Sequence, residues 1–80
     1  MRLDKYLKVS RIIKRRTIAN EACDAGRVQV NGKVARASVA VAIGDTIAIQ
    51  FGDKTTQVEV LQIKETVRKE DTAAMYKILE

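Results

Sequence analysis

The spacing of apolar residues changes from helical to alternating at Gly26. Before this glycine, residues 2–9 place Leu3, Tyr6 and Leu7 at the spacing of one helix face. After it, apolar and polar residues alternate, which is the pattern of strands with one buried face. Helices followed by short strands predict an α+β domain, in which two short N-terminal helices pack on a small antiparallel sheet.

A second helix is predicted over residues 17–25, directly before the glycine. Thr17 is its predicted N-cap. Gly26 is its predicted C′ residue, because glycine enters the left-handed conformation there without steric cost. The predicted buried stripe of this helix consists of Ile18, Ala22 and Ala25.

Three turn signals divide the second half of the chain into strands. The Asn-Gly pair at 31–32 lies between two short alternating segments, which is the strongest local signal for a hairpin. Gly-Asp pairs at 44–45 and 52–53 mark two further turns, so we expect four or five short antiparallel strands. The residues predicted to face inward are Val39, Val41, Ile43, Ile47, Ile49, Phe51, Val58 and Val60.

The segment "RKEDTAAMYKILE" returns to helical spacing at the C-terminus. Asp71 or Thr72 is positioned to cap a helix, and Met75, Ile78 and Leu79 share one apolar face. We therefore predict a domain over residues 1–66 followed by a short C-terminal helical tail over 67–80. Packing of the apolar face on the domain is the favoured interpretation, and contact with a partner is the alternative.

Few side chains are suited to catalysis or metal binding. The chain has one cysteine, Cys23, and no histidine, which excludes an internal disulfide and a histidine-based zinc site or catalytic triad. Eighty residues leave little room for an active-site cleft, so we expect no enzyme activity, no cofactor and no metal. No apolar run approaches the ~18–20 residues of a transmembrane helix, and residues 1–5 lack the apolar stretch of a signal peptide. We expect a cytosolic protein in which Cys23 is ordinary packing.

The cations are concentrated in the first half of the chain. Residues 1–36 carry ten cations against three anions, a net charge of +7, whereas residues 37–80 carry five cations against seven anions, a net charge of −2. Such asymmetry favours a polyanion-binding surface built by the first half. A solvated basic face without a ligand is the alternative. The ten cations are Arg2, Lys5, Lys8, Arg11, Lys14, Arg15, Arg16, Arg27, Lys33 and Arg36.

The stretch "SRIIKRRT" places Lys14, Arg15 and Arg16 side by side before the second helix. Unpaired backbone N–H groups at a helix N-terminus already favour an anion such as phosphate, and cations there raise the electrostatic cost of the helix unless an anion is present. Aromatic residues make up only 4% of the chain and are scattered, which argues against a base-stacking platform. We therefore expect recognition of the backbone of folded RNA, although composition alone does not separate RNA from DNA.

Several spaced elements resemble one known family. "RLDKYL", "KRRTIANEACDAGRVQVNGK" and "GDTI" occur in this order over residues 1–50, and together they are similar to the S4 RNA-binding domain, also called the alpha-L domain. In that family two short helices joined by a basic turn dock on structured RNA. The resemblance implies the same fold and an RNA ligand here.

As a free-standing S4 domain, the chain resembles two ribosome-associated groups of this family. Its start, "MRLDKYLKVSR", is most similar to the short Gram-positive group. That group acts in ribosome-associated quality control, where it binds the rRNA of the large ribosomal subunit and the P-site tRNA. With a tRNA-recruiting quality-control protein on the same subunit, it supports C-terminal alanine tailing of stalled nascent chains. The resemblance implies these partners for this chain, which we expect to be a monomer with no membrane partner.

Five residues are predicted by this resemblance to contact rRNA or tRNA phosphates, and four more form a flanking set. Asp4 is predicted to form a structural ion pair, with Lys8 four residues on as its partner, rather than to act as a catalytic acid. The five predicted contacts are Arg2, Arg11, Lys14, Arg15 and Arg16. The flanking set is Lys5, Lys8, Lys33 and Arg36.

Three alternative functions remain open from the sequence. The chain is also similar to the small heat-shock S4 proteins, which bind dissociated large subunits carrying peptidyl-tRNA. It would also suit an RNA-targeting subunit that works with an RNA-modifying enzyme in trans. A peripheral membrane protein is the third alternative, but the first helix has few large apolar residues for membrane insertion.

Overall fold

Two short helices precede all the strands in the computed structural model, which describes residues 1–79. Within these residues, five strands form one antiparallel sheet in the order β2-β1-β3-β4-β5. This architecture confirms the predicted α+β class with two N-terminal helices on a small antiparallel sheet. The elements are α1 (Leu3–Val9), α2 (Arg16–Asp24), β1 (Val28–Val30), β2 (Lys33–Val34), β3 (Thr46–Phe51), β4 (Lys54–Val60), a 3₁₀ helix (Lys69–Ala74) and β5 (Tyr76–Leu79).

The turn between β1 and β2 confirms the predicted hairpin. Asn31 and Gly32 have φ angles of 53° and 84°, so both central residues are left-handed, as a two-residue hairpin turn of this kind requires. The Asn31 amide also holds the next turn, because its Nδ2 donates to Asp45 at 3.1 Å and its Oδ1 accepts from the Thr46 backbone N–H at 3.0 Å. These contacts fix the register at which β3 enters the sheet.

The core lies between the inner face of the sheet and helix α1. Tyr6 is fully buried in this core, and its hydroxyl donates to the Met75 carbonyl at 2.8 Å. This hydrogen bond fixes the C-terminal segment against α1. The core residues contributed by α1 are Leu3, Tyr6 and Leu7, and those contributed by the strands are Val28, Ile47, Ile49, Val58 and Val60.

Residues 38–43 differ from the prediction of a strand in the sheet. They form only an isolated bridge, between Arg2 and Ala40. Their backbone pairs with the start of the chain instead, since the Leu3 N–H donates to the Val39 carbonyl at 2.8 Å. The expectation that Ile43 and Phe51 face inward was wrong, since Ile43 is 67% exposed and Phe51 is 46% exposed.

Helix α2 is rotated relative to the predicted orientation. Ala19 and Cys23, four residues apart, are its buried residues, whereas Ile18 is 50% exposed. The predicted stripe starting at Ile18 was therefore wrong by one position, which corresponds to about 100° around a helix. The helix also begins one residue earlier than predicted, so Thr17 lies inside it and Arg15 occupies the N-cap position.

The C-terminal segment corrects the prediction of a helical tail. Residues 69–74 form a 3₁₀ helix, but Tyr76–Leu79 form a strand, in which Ile78 lies opposite Val58 of β4. Without β5, the backbone N–H and C=O groups along one edge of β4 would be unpaired, and β5 forms hydrogen bonds with them. Met75 is fully buried as predicted, whereas Ile78 is 60% exposed. Glu80 lies outside the described residues, and the division of the chain at residue 66 stays a prediction.

Candidate nucleic-acid interface

A buried carboxylate connects the two helices beneath the basic surface. Asp4 is only 2% exposed. It accepts hydrogen bonds from Arg2 at 3.2 and 3.3 Å, from Arg16 Nη2 at 3.4 Å, from Asn20 Nδ2 at 3.2 Å and from the Lys5 backbone N–H at 2.7 Å. The carboxylate therefore accepts from donors on both α1 and α2.

The environment of Asp4 keeps it ionised. Burial acts to raise the pKa of the carboxyl, but hydrogen bonds from Asn20, Arg16 and the Lys5 backbone together outweigh it and hold the pKa below its ordinary value. Asp4 is thus a structural ion-pair residue, as predicted. The predicted partner Lys8 was wrong, because the carboxylate accepts from Arg2 and from the neighbouring helix instead.

Arg2 and Arg16 are held from below but remain available to a ligand. Their side chains are 50% and 47% exposed, although each has a nitrogen bonded to the buried Asp4 carboxylate. A guanidinium has five N–H donors in a fixed planar arrangement, so the donors that Asp4 does not use remain free to bind an anion. The ion pairs restrict the side-chain freedom that binding would otherwise have to remove.

The N-terminus of α2 lacks the side chains that usually neutralise such an end. Arg15 occupies the N-cap position without a side-chain capping hydrogen bond, and the first turn carries no acidic residue. Lys14, Arg15 and Arg16 are all exposed here. Unpaired N–H groups, the positive end of the helix dipole and three cations together make this end suited to binding phosphate.

The turn between the helices holds one of its basic residues, Arg11, in a strained backbone conformation. Arg11 has a φ of 62°, a left-handed conformation that usually favours glycine, and its N–H donates to the Lys8 carbonyl at 3.0 Å. Lys8, Arg11 and Lys14 line one concavity of about 480 Å³. The fourth residue lining it is Lys69, which was not among the predicted contacts because it lay in the predicted helical tail.

The flanking residues lie in different environments. The Lys5 ammonium pairs with the Glu65 carboxylate and lowers the pKa of that carboxyl, so Lys5 already has an internal counterion. Arg36 is exposed and precedes Ala37, whose carbonyl accepts the Asp4 N–H at 3.2 Å, so Arg36 lies near the start of α1. Lys33 lies on β2, which is the edge strand of the sheet opposite to β5.

Three other features of the described residues bear on function. Burial, with smaller contributions from the charges of Asp4 and Asp24, raises the pKa of the Cys23 thiol to about 11, which leaves it protonated at neutral pH. Among residues 1–79, no three histidine, cysteine or acidic side chains are grouped as metal ligands would be. None of the helices described is long and apolar enough to span a membrane.

Two short helices that carry a basic turn on an antiparallel sheet define a class of small RNA-binding modules. The S4 domain family model matches residues 1–47, which is more than half of the chain. The chain therefore belongs to the S4 domain family.

Full-length similarity extends beyond the segment that the family model matches. The RQC P-site tRNA stabilizing factor of Halalkalibacterium halodurans is 55% identical over 78 residues, covering 98% of this chain and 89% of that protein. The protein of the same name from Streptococcus pneumoniae is 54% identical over 79 residues, covering 99% of this chain and 90% of that protein. Among solved structures, heat shock protein 15 of Vibrio cholerae, described as trimeric, matches with a TM-score of 0.91 and 29% identity, covering 99% of this chain and 81% of that one.

Proposed function

We propose that the protein is a non-enzymatic RNA-binding factor of ribosome-associated quality control, which binds the large ribosomal subunit and stabilises its P-site tRNA. The observation that carries this proposal is the full-length identity of 54–55% to two proteins named RQC P-site tRNA stabilizing factor. Binding in this state would support C-terminal alanine tailing of the stalled chain by a tRNA-recruiting protein on the same subunit. We further propose that the protein acts in the cytoplasm as a monomer.

The charge of the helix face supports an RNA ligand. Arg2 and Arg16 are half exposed above Asp4, and Lys14 and Arg15 add exposed cations at the start of α2. Phosphate groups are the ligands that such a cluster of guanidinium and ammonium groups binds best. Together with Arg11, these residues are the proposed phosphate contacts, and Lys5, Lys8, Lys33 and Arg36 are the proposed flanking set.

The aromatic residues support recognition of the RNA backbone rather than of stacked bases. Tyr6 is fully buried, and its hydroxyl already donates to Met75. Phe51 lies at the end of β3, and Tyr76 is half-buried on β5. Base stacking in single-strand binders needs aromatic rings on the binding face, whereas folded RNA is bound mainly through its shape and phosphates. rRNA and tRNA meet this requirement.

A second candidate function is suggested by the structural match to heat shock protein 15. On this alternative, the protein would bind free large subunits that carry nascent chains and recycle them. The two functions differ in their dependence on the tailing partner. Deleting the gene for the tRNA-recruiting protein should abolish the cellular effect of a quality-control factor and leave that of a recycling factor.

The proposal is tested by sucrose-gradient sedimentation of extracts from cells that express the tagged protein. The wild type should migrate with large subunits that contain tRNA, and Arg16→Ala should shift toward the light fractions. Lys54→Ala removes one exposed cation from the start of β4 and serves as the matched control. A wild-type protein that stays in the light fractions at low salt would contradict the ribosomal assignment.

A further inference from the structure

Four cations from three separate parts of the chain line one surface concavity. Its volume is about 480 Å³, and its lining consists of Lys8, Arg11, Lys14 and Lys69. Lys8 lies in the last turn of α1, Arg11 and Lys14 lie between the helices, and Lys69 begins the 3₁₀ helix. The fold therefore brings a C-terminal cation against the basic turn of the N-terminal helices.

Among residues 1–79, no acidic side chain lines this concavity. The ion pairs among residues 1–79 join Arg2 and Arg16 to Asp4, and Lys5 to Glu65, so they leave the four cations without a carboxylate partner. Glu65 lines an adjacent concavity together with Lys8 and Arg11, but its carboxylate already pairs with Lys5. Four cations grouped without a counterion repel one another, and an external anion would relieve this repulsion.

The backbone on both sides of the concavity is fixed by hydrogen bonds. On one side, the left-handed Arg11 donates its N–H to the Lys8 carbonyl at 3.0 Å. On the other side, the Thr72 hydroxyl donates to the Lys69 carbonyl at 2.9 Å. The segment is held against α1 at buried Met75, whose carbonyl accepts the Tyr6 hydroxyl. The four cations are therefore brought together by the fold before any ligand binds.

We propose that Lys8, Arg11, Lys14 and Lys69 form a phosphate site for the RNA backbone, to which the C-terminal segment contributes Lys69. The proposal rests on the RNA-binding function proposed above and deepens it, because it adds a contact from beyond residues 1–47. One arginine and three lysines suit a phosphate, which accepts a bidentate guanidinium and several ammonium donors. The lining contains no aromatic ring on which a base would stack.

The test compares Lys69→Gln with the matched control Lys54→Gln. Both variants remove one exposed lysine, but Lys54 lies at the start of β4 and does not line this concavity. The affinity of each purified protein for a transcribed tRNA is measured over a range of salt concentrations. The slope of log affinity against log salt is negative, and Lys69→Gln should reduce its magnitude by about one unit. Lys54→Gln should leave the slope unchanged.

A further variant separates the role of charge from a structural role. Lys69→Arg retains the cation and should restore the wild-type slope, whereas a structural role specific to lysine would leave it reduced. Unfolding in urea should give the same midpoint for all three variants. If Lys69→Gln behaves like Lys54→Gln while Arg16→Ala lowers the slope, the four-cation site is wrong and the RNA-binding function stands. If the wild type itself does not bind the tRNA or large subunits, the proposed function fails.

Discussion

Asp4 and Arg16 are joined across the two helices, with Asp4 Oδ1 3.4 Å from Arg16 Nη2. The side chain of Asp4 is 3% exposed and that of Arg16 is 47% exposed, so the pair links the interior to the basic surface. Arg2 approaches the same carboxylate from the start of α1. One buried anion thereby fixes the spacing of two arginines that we propose as phosphate contacts.

Replacing Asp4 with Asn should destabilise the fold and weaken RNA binding. The amide has no charge to balance the two guanidinium groups, and its Nδ2 is a donor where the carboxylate has an acceptor. The loss of charge-assisted hydrogen bonds predicts a cost of about 1–3 kcal/mol in the free energy of unfolding at pH 7. Urea unfolding measures this cost, and Asp53→Asn, a change of an exposed carboxylate, is the control expected to stay within about 0.5 kcal/mol.

The same variant has a predictable dependence on pH. The pKa of Asp4 is lower in the folded protein than its ordinary value, so its stabilising contribution is fully present above an unfolded pKa of about 3.9. This contribution is lost as the pH falls through the lower folded pKa. The difference in stability between the wild type and Asp4→Asn should therefore shrink below about pH 4. An equal difference at pH 7 and pH 3 would show that the carboxylate charge is not responsible.

Replacing Arg16 with Ala should lower the salt dependence of RNA binding. The wild type, with about five phosphate contacts, is expected to give a log–log slope of roughly −3.5 to −4.5. Loss of one contact should reduce the magnitude of this slope by about one unit. Fluorescence anisotropy with a labelled tRNA measures the slope, and circular dichroism monitors the fold. An unchanged slope in a folded Arg16→Ala variant would remove Arg16 from the proposed contacts.

Two substitutions at Arg11 separate its backbone from its side chain. The φ of 62° is unfavourable for any residue with a Cβ, so Arg11→Gly should raise the free energy of unfolding by about 0.5–1 kcal/mol. Arg11→Ala retains the strained backbone and should leave stability near the wild-type value. Both variants lack the guanidinium, and both should reduce the salt slope of RNA binding by about one unit.

This pair of variants tests whether Arg11 is retained for binding at a cost in stability. Strained residues of this kind are concentrated at functional sites. If Arg11→Gly is more stable and binds RNA as well as the wild type, the guanidinium does not contact the ligand. If Arg11→Gly is less stable than Arg11→Ala, the assignment of backbone strain is wrong.

Replacing Tyr6 with Phe should loosen the C-terminal segment. The lost bond joins the buried hydroxyl to the Met75 carbonyl, which still accepts the Leu61 and Gln62 N–H groups at 2.8 and 3.1 Å. Because the carbonyl keeps these donors, we expect a cost of about 1 kcal/mol, measured by urea unfolding at pH 7.

The pH dependence of this variant provides a second measurement. Burial, with a smaller contribution from the Tyr76 charge, raises the pKa of Tyr6 from 10.0 to about 12. Because the pKa of Tyr6 is higher in the folded protein, its protonated hydroxyl contributes its full stabilisation below the unfolded pKa of about 10. This stabilisation is lost as the pH rises from the unfolded pKa to the folded pKa. The stability advantage of the wild type over Tyr6→Phe should therefore decline above pH 10. An advantage that is constant up to pH 12 would contradict the burial of the hydroxyl.

Features that depend on neighbouring residues could be predicted from the sequence. The hairpin at Asn31 and Gly32 was predicted because both residues tolerate positive φ, and the end of α2 was placed near Gly26 for the same reason. The strands β3 and β4 were indicated by the alternation that follows each of the two Gly-Asp pairs. The concentration of cations in the first half of the chain pointed to the helices as the basic surface.

Features that depend on distant partners could not be predicted in this way. The position of Ile78 fits the spacing of a helix as well as that of a strand. It lies in a strand because the edge of β4 offers backbone hydrogen-bond partners to this segment. Lys8 was the predicted local partner of Asp4, but the fold brings Arg16 and Asn20 to the carboxylate instead. Lys69 joins the basic turn only through the docking of the C-terminal segment on α1.

The central claim is that the protein stabilises P-site tRNA on the large ribosomal subunit. Coupling between two ligands is reciprocal, so a protein that stabilises the tRNA must itself bind more tightly when the tRNA is present, by the same factor. The most direct test is the Kd of the purified protein for isolated large subunits with and without P-site tRNA. We predict a lower Kd with tRNA, and an equal or higher Kd with tRNA would contradict a role in stabilising the tRNA.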